Sequence, residues 1–228
     1  MGVHDGHRQR LKKRFSENGI ESFNDINALE LLLFYAIPRR DTNEIAHNLL
    51  DRFGSLKAVF EASENELKEV EGVGESAAVL ISLIPEILKK SEISKANEIR
   101  QINNSKDAGS YLLPRFMNLK DETLIMLCLD SKRSVIFCKE MARGVVNGVD
   151  TNIRLLVETA LKVKAVSVII AHNHPGGIAL PSREDDYFTK RLFSALNMVG
   201  ITLEDHLIIV GDEFVSFADS GIMQSIRY

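Results

Sequence analysis

At 228 residues, with 45% hydrophobic and 26% charged side chains, the chain has the composition of a soluble globular protein holding one large domain or two modest ones. The net charge is −4, and the balance of Lys+Arg to Asp+Glu is 14 to 17 in residues 1–100 and 14 to 15 in residues 101–228, so neither half carries the bulk positive field of a simple nucleic-acid binder. No apolar run reaches the roughly 18 residues of a membrane span, and the opening Met1 to Arg8 has no apolar signal core, which predicts a cytoplasmic protein with no membrane partner.

The first hundred residues read as helices throughout. Arg8 to Glu17 begins a helix that Asn18-Gly19 closes, and its Arg8, Arg10, Lys12, Lys13 and Arg14 form a local basic cluster. Asn27 is a candidate cap for the next helix, whose Leu29, Leu31, Leu32, Leu33 and Phe34 are too apolar for a surface position. Asp41 or Thr42 can cap a third helix to about Arg52, ended by Gly54, and Ser55 opens a short one through Ala62. Ser63 to Glu66 has the form of a capping box. Gly72-Val73-Gly74 then separates that helix from an apolar one running through Leu88. Glycines there would let N–H groups at a helix start approach a phosphate, whereas Glu71 and Glu75 would repel one.

Residues 91–104 are polar and weakly patterned, and are expected to link a domain 1–100 to a domain 101–228. A helix containing Tyr111 to Leu113 follows and is expected to break near Pro114. The texture then turns to strands: Glu122–Leu129, a turn at 130–133, Ser134–Ala142 returning antiparallel, and a short extended stretch over 144–148. A helix from Thr151 or Asn152 puts Ile153, Leu156, Val157, Ala160 and Leu161 on one face. Strand 166–171, helix 185–199 and strands 201–210 and 214–217 complete an α+β domain with a mostly antiparallel sheet. Cys128 and Cys138 lack metal-ligand spacing and read as reduced thiols in neighbouring strands.

The chemistry is concentrated at the end of strand 166–171. His172 and His174, at i and i+2 of extended chain, point the same way and can converge on one ion. Pro175-Gly176-Gly177 turns the chain. Ser182 then stands at an N-cap, which puts Asp185 in the first helical turn, from where its carboxylate can return to the imidazoles. Two imidazoles and a carboxylate with a fourth position open to water is the ligand set of a catalytic zinc. Ser182 and Asp185 also make a capping box without any metal.

The joint pattern His-x-His-x7-Ser-x-x-Asp resembles the zinc motif of the JAMM (MPN-type, JAB) metalloproteases. The longer string His-Asn-His-Pro-x-Gly followed by Pro-Ser-Arg-Glu-Asp resembles the bacterial RadC family, a likeness running from His7-Arg8-Gln9-Arg10-Leu11 through Ser216-Phe217. The resemblance implies a helix-hairpin-helix domain followed by a mixed α/β JAB/MPN-like, cytidine-deaminase-like domain. It further implies one Zn2+ held by His172, His174 and Asp185, with Ser182 as the oxyanion donor and a protein or peptide substrate cut at a peptide or isopeptide bond. A glutamate from an upstream strand would be the general base, matched here to Glu140. Such relatives commonly carry His-Pro-Arg-Glu after that hairpin, where this chain has Asn152-Ile153-Arg154-Leu155. Three outcomes stay open: Glu140 suffices, Glu158 contributes, or the base is weakened. Asp205-His206 is read as supporting the ligands or as a buried hydrogen-bonded pair. The competing reading is a DNA-associated repair accessory, binding DNA through Gly72, Gly74 and the basic cluster, with the zinc structural or nucleolytic.

Overall fold

A computed structural model describes residues 3–144, 149–178 and 180–227. It divides into two compact units, Met1–Leu88 and Lys89–Tyr228. Of the extended stretch expected over 144–148, residues 145–148 lie outside the described residues, as does Ala179 of the loop before Ser182.

The helical unit carries α1 (Val3–Asn18), α2 (Asp25–Ala36), α3 (Asn43–Phe53), α4 (Leu56–Glu61), α5 (Glu64–Lys68) and the start of α6 (Glu75–Ala96). Leu29, Leu33, Ile45, Leu49, Val59, Leu67, Ala78 and Ile81 form its core. The cap of α2 is Asn24, whose side chain accepts from the N–H of Asn27, so the expected cap is the donor in that bond and not the acceptor. Ahead of α3, the Asp41 carboxylate accepts from the N–H of Asn43 at 2.9 Å, while the buried Thr42 hydroxyl makes no capping bond. Ser63 and Glu66 form the expected capping box.

In the second unit α7 (Ser105–Phe116) precedes β1 (Thr123–Leu129) and β2 (Val135–Arg143), then α8 (Val149–Lys162), β3 (Ser167–Asn173), α9 (Arg183–Met198), β4 (Thr202–Val210), β5 (Glu213–Ser216) and α10 (Ile222–Arg227). The sheet order is β2-β1-β3-β4-β5; only the β3–β4 pair is parallel, bridged by α9. β1 and β3 are buried along their whole length, which explains their unbroken apolar runs. One face of the sheet, with Leu124, Met126, Val168, Ile170 and Ile208, packs on Leu156 of α8 and Leu192 and Leu196 of α9. The other face, with Ile125, Leu127, Ile169, Ala171 and Leu207, packs on Ala108 and Leu112 of α7.

Two expectations change. The polar segment 91–104 is no free linker: α6 continues to Ala96, and Ile102 is fully buried, its N–H donating to the Arg133 carbonyl at 3.0 Å. Burial recurring every third residue, at Ile93, Ala96, Ile99 and Ile102, decides that segment, not composition. Pro114 does not break its helix, because it lies in the last turn of α7, where its ring and missing N–H disturb only one intrahelical bond. As expected, Cys128 and Cys138 are free thiols in the neighbouring strands β1 and β2; they face opposite sides of the sheet, since Leu127 is the cross-strand partner of Cys138. Burial, followed by the nearby Cys138, pushes the Cys128 thiol up to about 12, leaving it protonated and inert.

Candidate metal centre

The register of β3 builds the site. His172 lies opposite Leu124 of β1 and Ile208 of β4, and so shares their face of the sheet. Asn173, between the two histidines, works on the strand itself. Its Oδ1 accepts from the Thr123 N–H at 2.8 Å and its Nδ2 donates to the Asp121 carbonyl at 3.2 Å, which pins the start of β1 to the end of β3. The chain stays extended one residue further, the His174 N–H donating to the Ile209 carbonyl at 3.0 Å. It then turns through Pro175 and Gly176, at φ 69°, and the Gly177 N–H returns to the His174 carbonyl at 3.1 Å. Proline second and a left-handed glycine third is the residue choice of a type II turn.

Ser182 caps α9 by accepting from the Asp185 N–H at 3.1 Å. The Asp185 carboxylate divides its oxygens. Oδ2 accepts from the Ser182 N–H and hydroxyl, both at 2.7 Å, while Oδ1 lies 3.0 Å from His172 Nε2. Capping box and ligand site are therefore one structure, not alternatives. Burial alone would raise the Asp185 carboxyl, but the hydrogen bond and charge of His172, with the bonds from Ser182, outweigh it and hold the acid well below the usual carboxylate range.

His172 Nε2 is 2.8 Å from His174 Nε2, and His174 Nε2 is 3.4 Å from Asp185 Oδ2. Among the described residues, His172, His174 and Asp185 are the one group of His, Cys, Asp or Glu whose ligand atoms gather within 4.8 Å of one another. Ligands held tetrahedrally at about 2.0–2.1 Å sit roughly 3.3 Å apart, so the present spacing fits one metal ion with small adjustments.

Behind His172 stands His206, fully buried, with its Nε2 2.8 Å from His172 Nδ1. Burial and then His172 push His206 well below the ordinary histidine range, only partly opposed by Asp185, so its ring is neutral. Asp205 does not orient that ring. A register shift between Val168 and Ile169 aligns Asp205 with Ile169, on the α7 face, while His206 takes the ligand face. The Asp205 carboxylate instead accepts from the N–H groups of His206 and Ala218, at 2.8 and 2.9 Å, and from the Ser216 hydroxyl at 2.6 Å. Sequence reading missed Thr189, whose hydroxyl donates to the Asp185 carbonyl at 2.5 Å and lies 2.7 Å from His206 Nδ1; its signal was its place one turn after Asp185 on the same helical face.

The two candidate bases are elsewhere. Glu140 is the cross-strand partner of Ile125 and so points to the α7 face, opposite to His172, where Arg143 holds it at 2.6 and 3.0 Å. That hydrogen bond, against a smaller effect of burial, lowers its pKa. Glu158 lies exposed on α8, 2.7 Å from Arg154 Nε.

The residues expected to meet DNA are largely engaged within the helical unit. Arg8 lies over the Phe34 ring and donates to the carbonyls of Ile37 and Arg40 at 2.7 and 2.6 Å. Lys12 lies over Tyr35, Arg14 over Phe23, and Lys13 pairs with Glu17. Gly72 has φ 89°, and a Cβ there would come 2.7 Å from Ile45 Cγ1, so backbone handedness and packing account for this glycine. A Cβ on Gly74 would meet nothing within 4 Å.

Fold and site together define a class: an α+β domain whose central sheet, with the first turn of one helix, presents a His–His–Asp group that could hold a metal ion. Comparison with known proteins narrows it. Residues 102–222 match the RadC-like JAB domain. A UPF0758 protein of Fusobacterium nucleatum is 32% identical over 225 residues, covering 96% of this chain and 97% of that protein. Others from Paraburkholderia xenovorans and Ruegeria pomeroyi are 33% and 35% identical, covering 92% and 95% of this chain and 83% and 97% of their own lengths. The chain belongs to the RadC-like JAB domain family. No helix among the described residues is long and apolar enough to cross a membrane.

Proposed function

We propose that the protein is a zinc-dependent hydrolase of the JAMM type, with one Zn2+ per chain on His172, His174 and Asp185, acting on a peptide or isopeptide bond. The observation that carries the reading is the convergence of two imidazole nitrogens and one carboxylate within 4.8 Å, and JAB/MPN domains often carry hydrolase activity. When bound, the ion would polarise a carbonyl and bring a coordinated water toward neutral pKa. Three ligands from the protein leave the fourth position for that water. Asp185 stays ionised, because His172 and Ser182 favour its charged form. Ser182 is held at the site by its bonds to Asp185, and its hydroxyl is the side-chain donor next to the ligands that can turn toward a developing oxyanion.

The DNA-associated alternative draws no comparable support, since Arg8, Lys12 and Arg14 are spent on aromatic rings and carbonyls of their own unit. The test is metal content and turnover of the full chain on a peptide and isopeptide library. About one zinc per chain, with zinc-dependent cleavage that His174→Ala abolishes, supports the proposal. Absence of zinc from the wild type, or cleavage unchanged in His174→Ala, overturns it.

A further inference from the structure

Seven residues, Pro175 to Pro181, join His174 to the cap of α9 at Ser182, so the loop borders the metal centre at both ends. None of the seven has a charged or hydrogen-bonding side chain. Its backbone is turned toward the ligand. The Gly177 N–H returns to the His174 carbonyl, the Ile178 carbonyl oxygen lies 3.5 Å from His174 Nδ1, and the Leu180 N–H donates to the Ile178 carbonyl at 2.8 Å. The approach is close: a Cβ on Gly177 would lie 3.1 Å from His174 Cβ, and glycine lets the chain settle there without a shift. The side chains of Ile178 and Leu180 are left turned outward, 74% and 63% exposed. Pro175 and Pro181 fix φ at the two ends, so these side chains sit on a backbone with little freedom to lose on binding.

The loop also lies on the accessible side of the site. His172 and Asp185 are buried, whereas His174, the ligand that the loop packs against, is partly exposed. A molecule that reaches the ligands over His174 comes alongside Ile178 and Leu180. Two aliphatic side chains in a loop without polar side chains have nothing to offer a charge, and they gain only by burial against apolar surface. We propose that Ile178 and Leu180 are specificity-determining residues: together they receive an aliphatic or aromatic side chain of a peptide substrate, next to the bond to be cut. This rests on the hydrolase reading of the metal centre and names its substrate class, peptides that are apolar at that position rather than acidic or basic. The expected discrimination is about tenfold, the lower end of what apolar contacts give in closed pockets, because these two side chains form an open surface.

The test uses the full chain with zinc and end-blocked pentapeptides that differ only in a central Leu, Phe, Ser or Lys. Methyl 13C–1H spectra and cleavage rates are separate readouts. The Leu and Phe peptides should shift the Ile178 and Leu180 methyl signals and bind about tenfold more tightly than the Ser and Lys peptides. In the double variant Ile178→Ser, Leu180→Ser that preference should disappear while zinc content stays as in the wild type. Equal affinity for the Ser peptide, methyl signals that no peptide shifts, or a preference that survives in the double variant overturns the proposal. Apolar preference in binding without any cleavage keeps the recognition and counts against the hydrolase. Cleavage without the preference does the reverse.

Discussion

In the helical unit His7 Nε2 lies 2.9 Å from Glu30 Oε1, and in the sheet unit His172 Nε2 lies 3.0 Å from Asp185 Oδ1. Both carboxylates are buried, yet the two contacts have different consequences. Glu30 has a donor on each oxygen: the His7 ring on one, and the Asn43 side-chain amide, at 3.2 Å, on the other. That set is complete, and it joins α1, α2 and α3 without any further ligand. At Asp185 one oxygen takes the N–H and hydroxyl of Ser182 and the other meets His172 Nε2, and a second imidazole nitrogen crowds in at 2.8 Å from that same atom. Two imidazole nitrogens and a carboxylate oxygen gathered this closely could hold a metal ion.

The largest expected effect separates the two contacts. His174→Ala should reduce bound zinc from about one per chain to none. His7→Ala should leave zinc content intact and cost the helical unit roughly 1–3 kcal/mol in urea unfolding, because one oxygen of buried Glu30 loses its donor. Equal zinc loss in both variants would erase the distinction.

The helical unit offers a second contrast. Gly72→Ala must place a Cβ at φ 89° and against Ile45, and is expected to cost roughly 2 kcal/mol or more. Gly74→Ala, with open space around its Cβ, should cost less than about 1 kcal/mol. If both variants unfold alike, packing is not what requires Gly72.

Acid unfolding of the metal-free protein sharpens the sheet side. The folded pKa of Asp185 lies below its unfolded value of about 3.9. Its contribution to stability is therefore fully present above that value and is lost as pH falls through the lower folded pKa. Asp185→Asn should flatten this acid limb of the stability profile. The smallest effect is expected at Glu140. Facing away from His172 and held by Arg143, it should give a Gln variant with unchanged zinc content and a turnover within about tenfold of wild type. A hundredfold loss would mean that β2 rearranges to bring this carboxylate to the ligand face.

What could be read from the chain and what could not follow one division. Local periodicity carried the strand with His172, the turn at Pro175–Gly177 and the helix start at Ser182, because each is determined within a few residues. Non-local facts were out of reach. The side of the sheet that Glu140 occupies depends on the β1–β2 register and on the shift between Leu124 and Ile125. The separation of Asp205 from the His206 ring depends on the corresponding shift between β3 and β4. Asn173 stands between two histidines, and its pinning of β1 needs the strand order to be known. The engagement of the basic cluster was out of reach for the same reason: the aromatic rings that meet Arg8, Lys12 and Arg14 are about ten to thirty residues away in sequence.

The most direct test of the metal centre is a zinc K-edge absorption spectrum of the purified full chain. The expected first shell is two imidazole nitrogens with carboxylate and water oxygen at about 2.0–2.2 Å and no sulfur near 2.3 Å, and the signal should be lost in His172→Ala. Sulfur in the first shell, or an unchanged zinc spectrum in His172→Ala, would contradict a site made by His172, His174 and Asp185.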